Sequence, residues 1–125
     1  MSDRPVVLCA DDDEDILSLV ALRLERAGFE VLRAHDGVTA VEIARGRHPD
    51  VAVLDVMMPR QTGYEVLAEL RADDSLGDLK VILLSARVQD ADVERGIDAG
   101  ADAYLAKPFK AAELVEKVVE LQARR

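Results

Sequence analysis

The sequence predicts an α/β fold with a doubly wound, mainly parallel sheet of five strands, each followed by a helix. Three observations carry that expectation. Short apolar runs alternate with amphipathic stretches from end to end of the 125 residues. The connections between them are short, as strand–helix repeats require. The first, third and fourth runs are apolar without interruption, the pattern of parallel strands covered on both faces.

In chain order, Pro5 to Ala10 (PVVLCA) is too short for a helix and stops abruptly at Asp11-Asp12-Asp13. From Glu14 the period changes to that of a helix, with Ile16, Leu17, Val20, Leu24 and Ala27 on one face and Gly28 as its stop. Glu30 to Ala34 reads as the second strand. Asp36-Gly37 opens a helix with Val38, Val41 and Ala44 inward, ending before Pro49. Val51 to Leu54 is the third strand, closing in Asp55. A loop from Pro59 to Gly63 leads to a helix with Val66, Leu67 and Leu70 inward. Lys80 to Leu84 is the fourth strand, ending in Ser85, and a helix from about Asp90 to Ala99 stops at Gly100. Ala101 to Ala106 is a weaker fifth strand, and Lys107-Pro108-Phe109 leads into a last helix from about Ala111. No internal linker or low-complexity segment divides residues 1–125, which read as one domain.

Composition narrows the function classes. Half the residues are hydrophobic and only 3% aromatic, so the core is aliphatic. No apolar run approaches the roughly 18 to 20 residues needed to cross a bilayer, and the first residues carry no secretory signal. The single cysteine, Cys9, fits a reducing compartment and a buried structural thiol. A net charge of −9 argues against gripping nucleic acid through its phosphates and points to partners with basic patches. The expectation is a cytoplasmic protein with neither membrane contact nor direct nucleic-acid binding. His35 and His48 have no ligand partner at metal spacing, and no Ser-His-Asp set or Gly-rich phosphate loop is present.

The polar residues are informative by position. The strands end in Asp11-Asp12, Asp55, Ser85 and Lys107, and in a parallel sheet these ends share one edge, where open α/β sheets bind ligands. Each residue alone has a plainer reading: Asp12 or Asp13 as a helix N-cap, Ser85 as a turn residue, Lys107 as a solvated charge. Together they suggest more. Clustered carboxylates need a cation, and an all-oxygen, partly hydrated set suits Mg²⁺ better than Ca²⁺. A lysine and a hydroxyl beside such a metal fit an arriving phosphoryl group, with a carboxylate as nucleophile.

Four segments, CADDDEDI (Cys9 to Ile16), LDVMMPRQTGYEVL (Leu54 to Leu67), VILLSA (Val81 to Ala86) and GADAYLAKPF (Gly100 to Phe109), resemble the receiver domain of two-component response regulators. The resemblance spans essentially the whole chain. It implies a flavodoxin-like sheet of order 2-1-3-4-5 with five helices. It also implies that Asp55 is the phosphoacceptor, that Asp11, Asp12 and Asp55 hold Mg²⁺ with the backbone carbonyl of Met57, and that Ser85 and Lys107 bind the phosphoryl oxygens. Tyr104 falls at the aromatic switch position, where the plainer alternative is a half-buried strand tyrosine. Pro108 falls at the cis-proline position. Glu14 stands where many members have proline, Arg60 where glycine is common and Ser85 where threonine is commoner.

The implied function is a phosphorylation-driven switch rather than an enzyme. A sensor histidine kinase or histidine phosphotransfer protein would be the donor. The face made by the fourth helix, the fifth strand and the last helix would act on an output domain or form a homodimer. The wide apolar stripe of the last helix (Leu114, Val115, Val118, Val119, Leu121) fits either core coverage or such a surface. A haloacid-dehalogenase-type phosphohydrolase also uses a strand-terminal Asp, but needs a second Asp two residues on, where this chain has Met57. An interaction module independent of phosphorylation is disfavoured by the intact acidic set.

Overall fold

The computed structural model describes residues 4–86 and 100–124. Five parallel strands, β1(Val6–Ala10), β2(Glu30–Ala34), β3(Val51–Asp55), β4(Lys80–Ser85) and β5(Ala103–Ala106), lie in the order β2-β1-β3-β4-β5. Among the described residues there are four α-helices, α1(Glu14–Arg26), α2(Gly37–Arg47), α3(Gly63–Ala72) and α4(Ala111–Ala123), together with a short 3₁₀ turn at Asp74–Leu76. The helix expected over about 90–99 lies outside the described residues. The fifth strand starts two residues later than expected, at Ala103, because Asp102 is spent on anchoring: its backbone N–H donates to Val81 O at 2.8 Å and its carboxylate accepts from Val81 N at 2.8 Å.

Alternation along each strand sends side chains to two cores. One contains Leu8, Leu54, Leu83, Leu67 and Leu70, under α2 and α3. The other contains Val7, Cys9, Val53, Leu84, Leu17, Leu24, Leu114 and Val118, under α1 and α4. Each fully buried leucine is worth roughly 1.5–3 kcal/mol relative to leaving it exposed. Along the apolar stripe of α4, Leu114, Val118 and Leu121 are buried as core coverage predicts, whereas Val119 is 46% exposed. Two inward assignments need correction. Ala27 is exposed because it is the C-cap of α1, already turning away from the core, and Val38 is only half-buried while Ala40 takes the inward place on α2.

The helix ends are chemically determined. Asp13 caps α1 by accepting from Asp15 N and Ile16 N, Asp36 caps α2 through Thr39 N, and Thr62 with Glu65 forms a capping box on α3. Gly28, at φ 100°, closes α1 with the 6→1 and 5→2 bonds of a Schellman motif, Phe29 N to Leu24 O and Gly28 N to Glu25 O, both 3.1 Å. Phe29 then packs into the same core as Leu24. On the opposite face Arg71 of α3 donates to Gly100 O (2.9 Å), to Leu79 O (2.6 Å) and to the Asp102 carboxylate (2.9 Å), tying the helix to the starts of β4 and β5.

The N-terminus of α3 lies directly against the end of β3. Gly63 N donates to Val56 O at 3.0 Å, and a Cβ at Gly63 would sit 2.6 Å from the Asp55 carbonyl oxygen and 2.9 Å from Val56 Cα. Both neighbours are backbone and cannot yield. Gly63→Ala should therefore lower unfolding stability by about 1–3 kcal/mol, read as a lower midpoint in urea. Gly46, inside α2 with open space around it, should behave oppositely, Gly46→Ala gaining up to about 1 kcal/mol.

Candidate functional site

Parallel pairing brings the strand ends together. Asp11 follows β1 and its N–H donates to Ala34 O at 3.1 Å; Asp55 ends β3, and Val56 N reaches across to Leu84 O at 2.8 Å. Ser85 ends β4 opposite Ala106, and its carbonyl accepts from Lys107 N at 2.8 Å. This last bond sets Lys107 at the sheet edge, and the Lys107–Pro108 peptide that follows is cis.

Three side chains then converge. The Lys107 ammonium donates to Asp11 Oδ2 at 2.8 Å and to Asp55 Oδ2 at 3.0 Å, bridging two carboxylates that are 2% and 4% exposed. The other oxygens are also engaged: Asp13 N donates to Asp11 Oδ1 at 3.0 Å and Met57 N to Asp55 Oδ1 at 3.2 Å. Asp12, exposed, completes a group in which one carboxylate oxygen each from Asp11, Asp12 and Asp55 lies within 4.8 Å of the others. This all-oxygen donor set, open to solvent on the Asp12 side, fits a hard, partly hydrated cation such as Mg²⁺.

Burial pushes the Asp55 carboxyl up from its ordinary 3.8 to about 6; the Lys107 hydrogen bond opposes this and the Asp11 carboxylate adds to it. For Lys107 burial works against the charged form, but its bonds to Asp11 and Asp55 outweigh it and hold the ammonium above its ordinary value. Cys9, behind the site, is buried and its thiol is pushed up to about 12, chiefly by burial, so it is inert packing.

Asp13 is the N-cap, and Asp11 and Asp12 face the cluster. Ser85 is buried at the same edge. Tyr104 is half-buried on β5 opposite Leu83, two residues before Ala106, the partner of Ser85, so its side chain shares a sheet face with that of Ser85. Met57, whose backbone N–H bonds Asp55, is itself 73% exposed. Two features escaped the sequence reading. One is Tyr64 on α3, whose hydroxyl meets that of Tyr104 at 3.3 Å. The other is an apolar cleft of about 330 Å³ beside Lys107, lined by Ile16, Leu19, Val20 and Phe109 among others. No local pattern announces either, since each joins segments far apart in the chain. At the rim, Glu14 pairs with His35 and, at 3.8 Å, with Arg33, and the His35 bond holds its carboxyl below the usual range.

The family model described as the response regulator receiver domain matches residues 7–119. The chain is a response-regulator receiver domain. Such domains are signalling switches rather than classical enzymes; phosphorylation on Asp is general among them, and they bind Mg²⁺ at an acidic pocket. This receiver is 46% identical over 121 residues to the transcriptional regulatory protein PrrA of Mycobacterium tuberculosis, covering 97% of this chain and 51% of that one. It is 40% identical over 120 residues to the DNA-binding dual master transcriptional regulator RpaA of Synechocystis, covering 96% and 50%. It thus spans about half the length of these curated relatives. Among solved structures it is similar to the receiver domain of Francisella response regulator 1452, with a TM-score of 0.91 at 36% identity over 97% of this chain and 98% of that one. The Vibrio cholerae chemotaxis protein CheY4 gives 0.89 at 30% identity, over 94% and 98%. Among the described residues no helix is long and apolar enough to cross a membrane.

Because Asp55 holds its proton more tightly folded than unfolded between about pH 4 and 6, its ionisation opposes folding as pH rises through that window. In buffer free of divalent cations, Asp55→Asn should be more stable than the parent above pH 6, by on the order of 1 kcal/mol. The two urea midpoints should converge as pH falls toward 4.

Proposed function

We propose that Asp55 accepts a phosphoryl group from the phosphohistidine of a sensor histidine kinase or histidine phosphotransfer protein, and that the resulting charge resets the β5 face of the receiver. The observation that supports this most directly is the Lys107 ammonium held between Asp55 and Asp11 with Asp12 alongside. An ammonium and clustered carboxylates of this kind suit the binding of a phosphoryl group.

In this reading an Asp55 oxygen attacks phosphorus, the P–N bond of the donor breaks, and its electron pair returns to the imidazole. Asp11, Asp12, Asp55 and the Met57 carbonyl are the proposed Mg²⁺ ligands; the ion, when bound, offsets the negative charge of carboxylates and phosphoryl oxygens. Lys107 exchanges its contact with Asp55 for a phosphoryl oxygen, and Ser85 donates its hydroxyl to another. The product carries about −1.5 to −2 charge and three strong acceptor oxygens, so both donors are drawn toward it. Movement of Ser85 leaves room at the end of β4 on the face it shares with Tyr104, and the tyrosine ring rotates inward. The surface made by β5, α4 and the helix expected over 90–99 changes with it, acting on an output domain or a second copy. The apolar cleft beside Lys107 offers a footing for a partner presenting phosphohistidine. The chemistry proposed for the receiver itself is self-catalysed transfer from small donors and hydrolysis of the acyl phosphate.

A small phosphodonor with Mg²⁺ should add a single acid-stable, base-labile phosphoryl group, seen by intact mass. Asp55→Asn should add none; labelling of that variant to the parental level would refute the assignment. Millimolar Mg²⁺ (order of magnitude for a weakly held site) should raise the melting temperature of the parent by mass action. Asp12→Ala should lose most of that rise, and a parent melt unmoved by Mg²⁺ would count against the ligand set. Ser85→Ala should still be labelled yet show a smaller NMR response around Tyr104 to beryllofluoride, a phosphoryl mimic. A response equal to the parent's would break the proposed link between the two residues.

A further inference from the structure

We propose that Tyr64 is a positioning residue of this switch: its hydroxyl, paired with that of Tyr104, holds the Tyr104 ring in the half-exposed setting described here and must release it when Asp55 is modified. The proposal rests on the reading of Asp55 as phosphoacceptor and adds to it a second element, α3.

The two hydroxyls lie 3.3 Å apart, although the residues are 40 positions apart in sequence. Both rings pack against the core under α2 and α3, so each is held by its body and joined by its tip. Each also belongs to an element wired to the phosphoryl pocket. Tyr64 is the second residue of α3, next to Gly63, whose N–H bonds Val56 O and where a Cβ would sit 2.6 Å from the Asp55 carbonyl oxygen. Tyr104 lies on β5, which is bonded to the end of β4 through Lys107 N and Ser85 O. The hydroxyl pair therefore bridges the two elements that leave the pocket in different directions. Rotation of Tyr104 away from this setting breaks that bridge, so the contact weights the equilibrium toward the unmodified state.

Removing one hydroxyl without changing ring packing should lift that weight. A typical intramolecular hydrogen bond corresponds to about a 2- to 10-fold change in an equilibrium constant. A ligand that selects the rotated state should gain the same factor in apparent affinity, since it no longer works against the contact.

The chain has two tyrosines and no tryptophan, so 3-fluorotyrosine labelling yields two ¹⁹F resonances, and Tyr64→Phe leaves Tyr104 as the sole reporter. In the presence of Mg²⁺, Tyr64→Phe should lower the beryllofluoride midpoint about 2- to 10-fold. Its Tyr104 resonance should already be displaced toward the beryllofluoride position before any addition. In a Tyr104→Phe background, followed by amide NMR, Tyr64→Phe should leave the midpoint where it was. A parent that responds while Tyr64→Phe keeps or raises the midpoint overturns the proposal and leaves the Asp55 reading intact, even if the variant melts at lower temperature. A parent that does not respond to beryllofluoride at all removes the Asp55 reading, and this proposal with it.

Discussion

A single ammonium group lies between two carboxylates that the fold buries at the edge of its sheet, and the polar end of the molecule depends on that arrangement. Asp11 and Asp55 are each followed by backbone that donates to their second oxygen, and Lys107 satisfies the first. Remove the lysine and two nearly inaccessible anions face each other in a medium that solvates them poorly. With it in place the pair is tolerated but not relaxed: burial still pushes the Asp55 carboxyl up to about 6. In such a cluster any change in charge nearby shifts the balance among all three groups. The hydrophobic sheet fixes where the charges are; their mutual discomfort makes them responsive.

Much of this was readable from residue order. The strand assignments follow from uninterrupted aliphatic runs, and their ends from the polar residue that stops each run, so Asp11, Asp55, Ser85 and Lys107 could be placed on one edge before any coordinates. The parallel sheet order came from resemblance, because pairing partners leave no trace in local pattern. What sequence periodicity missed is instructive. Ala27 looks like one more turn of an amphipathic face, but the Schellman closure at Gly28 ends the helix first and hands the buried position to Phe29. Asp102 looks like strand, yet its carboxylate is needed by Val81 N and Arg71. Resemblance assigned Asp11 and Asp12 to the acidic pair, and the cap geometry shows Asp13 spent on the N-terminus of α1. The Tyr64–Tyr104 contact had no signal at all, since it requires two side chains from opposite ends of the α3–β5 topology to meet tip to tip.

The same separation governs how the molecule acquires its chemistry. Lys107 meets Asp55 across 52 positions of chain and Asp11 across 96, while β1 and β2 can pair as soon as the intervening helix forms. Long loops close late and only when the intervening structure is in place. The acidic pocket thus depends on β5, the last strand in the chain, pairing with β4 and on the turn beyond it. A chain in which β5 has not paired would carry all three aspartates without the ammonium placed between two of them. Asp11 and Asp55 gain their shared counter-charge only where the first and the last strand stand in the same sheet.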